Sequence, residues 1–118
     1  LVGSEMCIRD STHCDDDGVL IEAAVNAGAQ GIIYAGSGMG SIHCGAEAAL
    51  LKAMQRGAAV VRSTRVSEGR VLAANPKWDE AGFICGGNLN PQKARILLQL
   101  ALTCTKDTKK IQEIFDEY

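Results

Sequence analysis

Two hydrophobic rhythms alternate along this chain. Gly31-Ile32-Ile33-Tyr34-Ala35-Gly36, Ala58–Thr64 and Gly82–Gly86 are short, nearly continuous apolar runs. Their length and their β-branched and aromatic content predict strands buried on both faces. Between them the apolar positions fall at helical spacing. Leu20, Ala23, Ala24 and Ala27 lie at i, i+3, i+4 and i+7, predicting a helix over 17–27. Asp15, Asp16 and Asp17 supply its cap and first-turn carboxylates, and Gly28 suits the left-handed position after its end. A second helix is expected over 41–56, with the stripe Ala46, Ala49, Leu50 and Ala53, ending at Gly57. Small residues on that stripe let it pack close to a sheet.

Two further helices close the chain. Asn90 at the N-cap and Pro91 at the first helical position open one over 91–103. Its apolar residues (Ala94, Ile96, Leu97, Leu98, Leu100, Ala101) cover a wide arc and predict a largely buried helix. Asp107 caps the last, whose stripe is Ile111, Ile114, Phe115 and Tyr118. Strands near 31, 59 and 83 separated by helices predict an α/β domain with an open parallel sheet flanked by helices. Residues 66–81 show no helical period and read as a long loop, a length more often functional than idle. Residues 1–11 also lack a period and are read as a non-native or disordered lead-in, so the domain is expected over 12–118. The strand that should precede Asp15 is then expected to be cut away, leaving an N-terminally truncated sheet with an unpaired edge.

Composition narrows the function classes. A chain of 118 residues with 47% hydrophobic and 22% charged residues has the balance of one globular domain. A net charge of −2 gives no electrostatic reason for nucleic-acid or membrane partners, so neither is expected. Cys7, Cys14, Cys44, Cys85 and Cys104 form no Cys-x-x-Cys pair, and they read as reduced, mostly buried thiols. His13-Cys14 and His43-Cys44 are adjacent pairs without the intervening residues of a zinc site, so no metal is expected. The acidic triplet reads as a helix start before it reads as a cation site.

One candidate for chemistry is Gly36-Ser37-Gly38-Met39-Gly40-Ser41, between a strand and a helix. It is not a Walker A loop, and Ser41 stands where a dinucleotide fingerprint wants glycine or alanine. A tight turn, and the edge of a small-molecule site, remain as readings. Ser41 can act as a helix N-cap, as a substrate contact, or as both. Arg62 and Arg65 read first as carbonyl anchors or ion-pair partners and second as oxyanion contacts. Trp78 reads as a loop or interface anchor.

Several ordered motifs carry a family resemblance. Asn88-Leu89-Asn90-Pro91-Gln92-Lys93-Ala94-Arg95 with Thr105-Lys106-Asp107, the Gly31–Gly40 segment and Val60-Val61-Arg62-Ser63-Thr64-Arg65 together resemble the C-terminal domain of bacterial-type L-asparaginases. The likeness runs from about Asp17 to Tyr118. It implies the flavodoxin-like α/β domain of that family and a role in hydrolysing L-asparagine, with L-glutamine as second candidate substrate, to the acid and ammonia. It implies no cofactor. The family's reacting threonines, lysine and aspartate precede this region, so no residue here, Thr64 and Asp79 included, takes a catalytic role. The resemblance implies instead that the domain completes a neighbouring subunit's substrate site and builds a homotetramer, a dimer of intimate dimers. Ser41 matches the small polar residue offered to that site. Asn75 lies nearest the place where many members carry a glutamate that reaches the substrate amine. Two alternatives stand beside this reading. One is the asparaginase-like subunit of a tRNA-dependent amidotransferase, and the other a non-catalytic small-ligand-binding α/β module.

Overall fold

The computed structural model describes residues 7–11, 17–38, 40–66, 71 and 76–118. In chain order they form β1 (Cys7–Ser11), α1 (Val19–Asn26), β2 (Gly31–Gly36), α2 (Cys44–Gln55), β3 (Ala59–Thr64), α3 (Pro76–Ala81), β4 (Ile84–Cys85), α4 (Pro91–Cys104) and α5 (Thr108–Glu117). Among the described residues the strands make one four-stranded sheet in the order β1-β2-β3-β4, every neighbouring pair parallel. The register sets Ile32 beside Val60, Gly36 beside Thr64 and Arg62 beside Cys85.

That strand order dictates the layering. Parallel crossovers are right-handed, and here the order never reverses, so α1, α2 and α3 must fall on one face. Ile21 of α1, Ala46, Ala49, Leu50 and Ala53 of α2, and Trp78 of α3 pack there with Ile32, Tyr34 and Val60. The other face can be covered only by elements after β4. Ala94, Leu98, Ala101 and Leu102 of α4 and Ile111 and Phe115 of α5 cover it, against Ile33, Ala59, Val61 and Ile84. The period-2 alternation of β2 and β3 is therefore hidden in the sequence, because both faces are buried. Gly31 lets α4 approach, since a Cβ there would lie 2.7 Å from Cys7 Sγ and 2.8 Å from Leu98 Cδ2.

The predicted strands and the start signals of the last two helices match closely. β2 spans the predicted residues, and β3 and β4 lie inside theirs. Asn90 Oδ1 accepts the Lys93 amide at 2.8 Å, and Asp107 Oδ1 accepts that of Lys109 at 3.0 Å. All four residues of the α2 stripe are buried.

Five expectations are corrected. The sheet edge expected to be open is filled, because Cys7–Ser11 form β1 and pair with Gly31–Ala35. Five residues are too few to display a period, and β1 is not an alternating strand but is held by one neighbour and α4, where Arg95 Nε donates to Cys7 O at 2.9 Å. In α1 the buried residue is Ile21, while Leu20 is 59% exposed and Ala23 and Ala27 also face out. The helix is rotated by Gly18, whose backbone lies so close to α2 that a Cβ would stand 2.8 Å from Ala49 Cβ. The cap position is held by Gly18, and Asp17 just before it accepts the Val19 amide at 3.1 Å, while Asp15 and Asp16 lie outside the described residues. α2 begins at Cys44 rather than 41, capped by His43 Nδ1 on the Gly45 amide. Part of the predicted 66–81 loop is helix α3, six residues long and too short for a readable stripe. In α4 the contact is one-sided, because Ile96 and Leu100 are 60% and 51% exposed.

Among the described residues β4 has no strand on its outer side, and a side chain takes that place. Gln112 of α5 accepts the Cys85 amide on Oε1 at 2.8 Å and donates from Nε2 to Cys85 O at 3.4 Å. Its Nε2 also donates to Asp116 Oδ1 at 2.9 Å. A primary amide carries one acceptor and two donors, so it satisfies both backbone groups of an edge residue as another strand would. No helix among the described residues is long and apolar enough to cross a membrane.

Candidate functional site

In an open parallel sheet, ligand-contacting residues gather beyond the carboxyl ends of the strands. Here those ends carry the turn after β2, the segment after β3 and the Gly86–Asn90 segment after β4. The first is the glycine-rich loop. Ser37 O accepts the amides of Gly40 at 3.0 Å and Ser41 at 2.9 Å, closing a tight turn, and Ser37 and Ser41 face each other in an antiparallel bridge. Gly40 has φ of 83°, a conformation that disfavours a side chain. Gly36 is required for a different reason: a Cβ there would lie 2.2 Å from Ser41 O. Ser41 is exposed on this turn and is not the helix cap, a role taken by His43.

The end of β3 fastens the turn from beneath. Arg62 is 2% exposed; its Nη1 donates to Gly40 O at 3.2 Å and its Nη2 to Cys85 Sγ at 3.5 Å. Its guanidinium carbon stands 4.9 Å from the centre of the Trp78 ring, a cation–π contact. The carbonyl-anchor reading of Arg62 is therefore the one its geometry carries. The Thr64 hydroxyl donates to Gly38 O and accepts the Val66 amide at 3.1 Å. The Arg65 amide donates to Gly36 O at 3.0 Å, while its side chain is exposed. The turn is thus held at Gly36, Gly38 and Gly40 by three residues of one neighbouring strand end.

Val71 was not singled out from sequence, yet it closes the arrangement. It is 1% exposed, its amide donates to Gly87 O at 3.0 Å, and its side chain rests where a Cβ on Gly40 would be, 2.8 Å away. One chain position thereby ties the segment after β3 to both neighbouring loops. The sequence signal was a short apolar run, Val71-Leu72-Ala73-Ala74, flanked by polar residues. Asn75, the second site residue expected from sequence, lies outside the described residues, as do His13 and Cys14. Trp78 anchors its segment, half-buried beneath Arg62, and Lys77 of the same helix pairs with Glu47 of α2 at 2.8 Å. The described thiols divide evenly, Cys7 and Cys85 buried and Cys44 and Cys104 exposed, which corrects the expectation that most are buried. The correction has a local cause: Cys44 sits in the first turn of α2 and Cys104 in the last of α4, where side chains leave the helix–sheet contact.

What this geometry offers is a rigid rim. An exposed serine sits on a turn whose Gly36, Ser37, Gly38 and Gly40 carbonyls all accept hydrogen bonds, so its place is set before any polar group arrives. Comparison with known proteins bears on which group that is. The sequence matches the family described as Glutaminase/Asparaginase C-terminal domain over residues 11–115.

The chain belongs to that family.

It is 49% identical to L-asparaginase 2 of Bacillus subtilis over 104 residues, and 48% identical to L-asparaginase 2 of Escherichia coli over 99 residues. It is 39% identical to the glutaminase-asparaginase of Pseudomonas fluorescens over 100 residues. These alignments cover 88%, 82% and 83% of this chain, and 28% of each relative's length. A crystal structure of a probable cytoplasmic L-asparaginase from Campylobacter jejuni has the same fold, with a TM-score of 0.92 at 43% identity. The match covers 98% of this chain and 38% of that one. The parallel sheet and its two helical layers are thus those of an asparaginase C-terminal domain.

Proposed function

We propose that this domain works as part of an amidohydrolase that converts L-asparagine, with L-glutamine as second candidate, to the corresponding acid and ammonia. The observation that carries the reading is the 49% identity to an L-asparaginase that extends well beyond the matched region. The nucleophile is expected in the part of the enzyme that this domain does not supply. The domain's own contribution is binding and assembly. Ser41 presents a hydroxyl to the α-amino or α-carboxylate group of a substrate in a neighbouring subunit, and Asn75 lends a carbonyl to the same amine. Neither group takes part in bond breaking. Both act by fixing the amino acid so that its side-chain amide meets the nucleophile, an orientation effect. The subunits associate as a dimer of intimate dimers.

A chimera tests this. The 104 matching residues of this chain replace their counterparts in the Bacillus subtilis relative, and ammonia release from L-asparagine is followed. The chimera is expected to be active, and Ser41→Ala is expected to raise KM about tenfold with kcat little changed, the scale of one hydrogen bond to a charged group. A chimera that folds and assembles but releases no ammonia would contradict the proposal.

A further inference from the structure

We infer that Arg62 is the positioning residue for Ser41, acting through a single peptide unit; the inference rests on the substrate-contact role proposed for Ser41. The peptide between Gly40 and Ser41 is planar, so fixing both its polar ends fixes where the Ser41 Cα begins. One end, Gly40 O, accepts from Arg62 Nη1 at 3.2 Å. The other, the Ser41 amide, donates to Ser37 O at 2.9 Å. The next carbonyl, Ser41 O, lies against Gly36, where no side chain could stand.

Arg62 is itself immobilised on sides that have nothing to do with the turn. Nη2 reaches Cys85 Sγ on β4 at 3.5 Å, and the guanidinium lies over the Trp78 ring. Cys85 in turn is gripped by Gln112 through both its backbone groups. A planar, always-charged fork can hold a carbonyl, a thiol and an aromatic face at once. Lysine has one nitrogen and no plane, so it can keep the Gly40 carbonyl but not all three. The effect reaches the substrate only through Ser41, which distinguishes Arg62 from a group that touches the amino acid.

The test uses the active chimera with Arg62→Met, Arg62→Lys, Ser41→Ala and the double variant Ser41→Ala/Arg62→Met. Arg62→Met is expected to raise KM about tenfold while kcat stays within about twofold, matching the loss of one charged hydrogen bond. Arg62→Lys is expected to recover most of that increase. Because both residues act through one contact, the double variant should have the KM of Ser41→Ala alone. An unchanged KM in a folded Arg62→Lys and Arg62→Met pair overturns the inference, as do increases that multiply in the double variant. If Arg62→Met does not fold, Arg62→Gln, which keeps a buried polar group but not the charged fork, paired with Ser41→Ala gives the same cycle. An inactive parent chimera, by contrast, fails the proposed function and not the role of Arg62.

Discussion

At the scale of single residues, the turn after β2 is fixed by contacts far apart in sequence. Thr64 is the most economical example, because its hydroxyl serves Gly38 O and the Val66 amide together. Thr64→Val keeps the shape and removes both bonds, one at a partly buried carbonyl. It is expected to destabilise the protein by about 1–3 kcal/mol. Urea unfolding followed by the fluorescence of Trp78, the chain's single tryptophan, measures this. Gly36→Ala should cost a similar amount, about 1–3 kcal/mol by overpacking, because the new methyl meets backbone rather than a yielding side chain. Sequence showed the glycines and Ser41 as a turn and Arg62 as an anchor. It did not show what Arg62 anchors. The Arg62–Gly40 bond spans 22 positions and depends on β2 and β3 being neighbours in register. Val71 escaped notice for the same reason, since its contacts with Gly40 and Gly87 are likewise distant in sequence.

At the scale of elements, local signals decided where helices begin, and packing decided which way they face. Asn90-Pro91 and Asp107 act through bonds within three residues and were legible at once. The face of α1 was not, because its rotation is set by Gly18 lying against α2, a contact between elements. α4 shows the consequence most plainly. Leu98 is fully buried and touches the sheet, whereas Ile96, two positions earlier, is 60% exposed. Leu98→Ala is expected to cost about 2–5 kcal/mol, and Ile96→Ala less than about 0.5 kcal/mol in the domain alone. Parallel urea titrations separate them. An equal loss at both positions would mean that the exposed face of α4 is covered. At the sheet edge, Gln112→Ala removes the stand-in for a neighbouring strand. Amide exchange at Cys85 should then quicken while exchange in β2 stays slow, since local opening of an edge need not unfold the centre. Unaltered Cys85 exchange would show that the edge is protected by something other than this amide.

At the scale of the whole molecule, the fold was largely readable and the chemistry only in part. Strands buried on both faces, alternating with helices, left a parallel sheet as the natural architecture, and the unreversed strand order then assigns every helix to its layer. The missed strand β1 has no alternation to display, and a sheet edge is recognised by its partner rather than by its own sequence. The site is harder to read because it is a rim. In the function proposed here, its serine and its braced turn act only beside a substrate and a nucleophile from elsewhere in the enzyme. That separation is what we propose: the matched region, 28% of an L-asparaginase's length, would supply orientation while another part supplies reaction. The most direct measurement is steady-state ammonia release from L-asparagine by the Bacillus subtilis chimera, with and without Ser41→Ala. An active chimera whose KM rises about tenfold on Ser41→Ala at nearly constant kcat is the expected result. A folded, assembled chimera that is inactive, or one indifferent to the loss of the Ser41 hydroxyl, would contradict it.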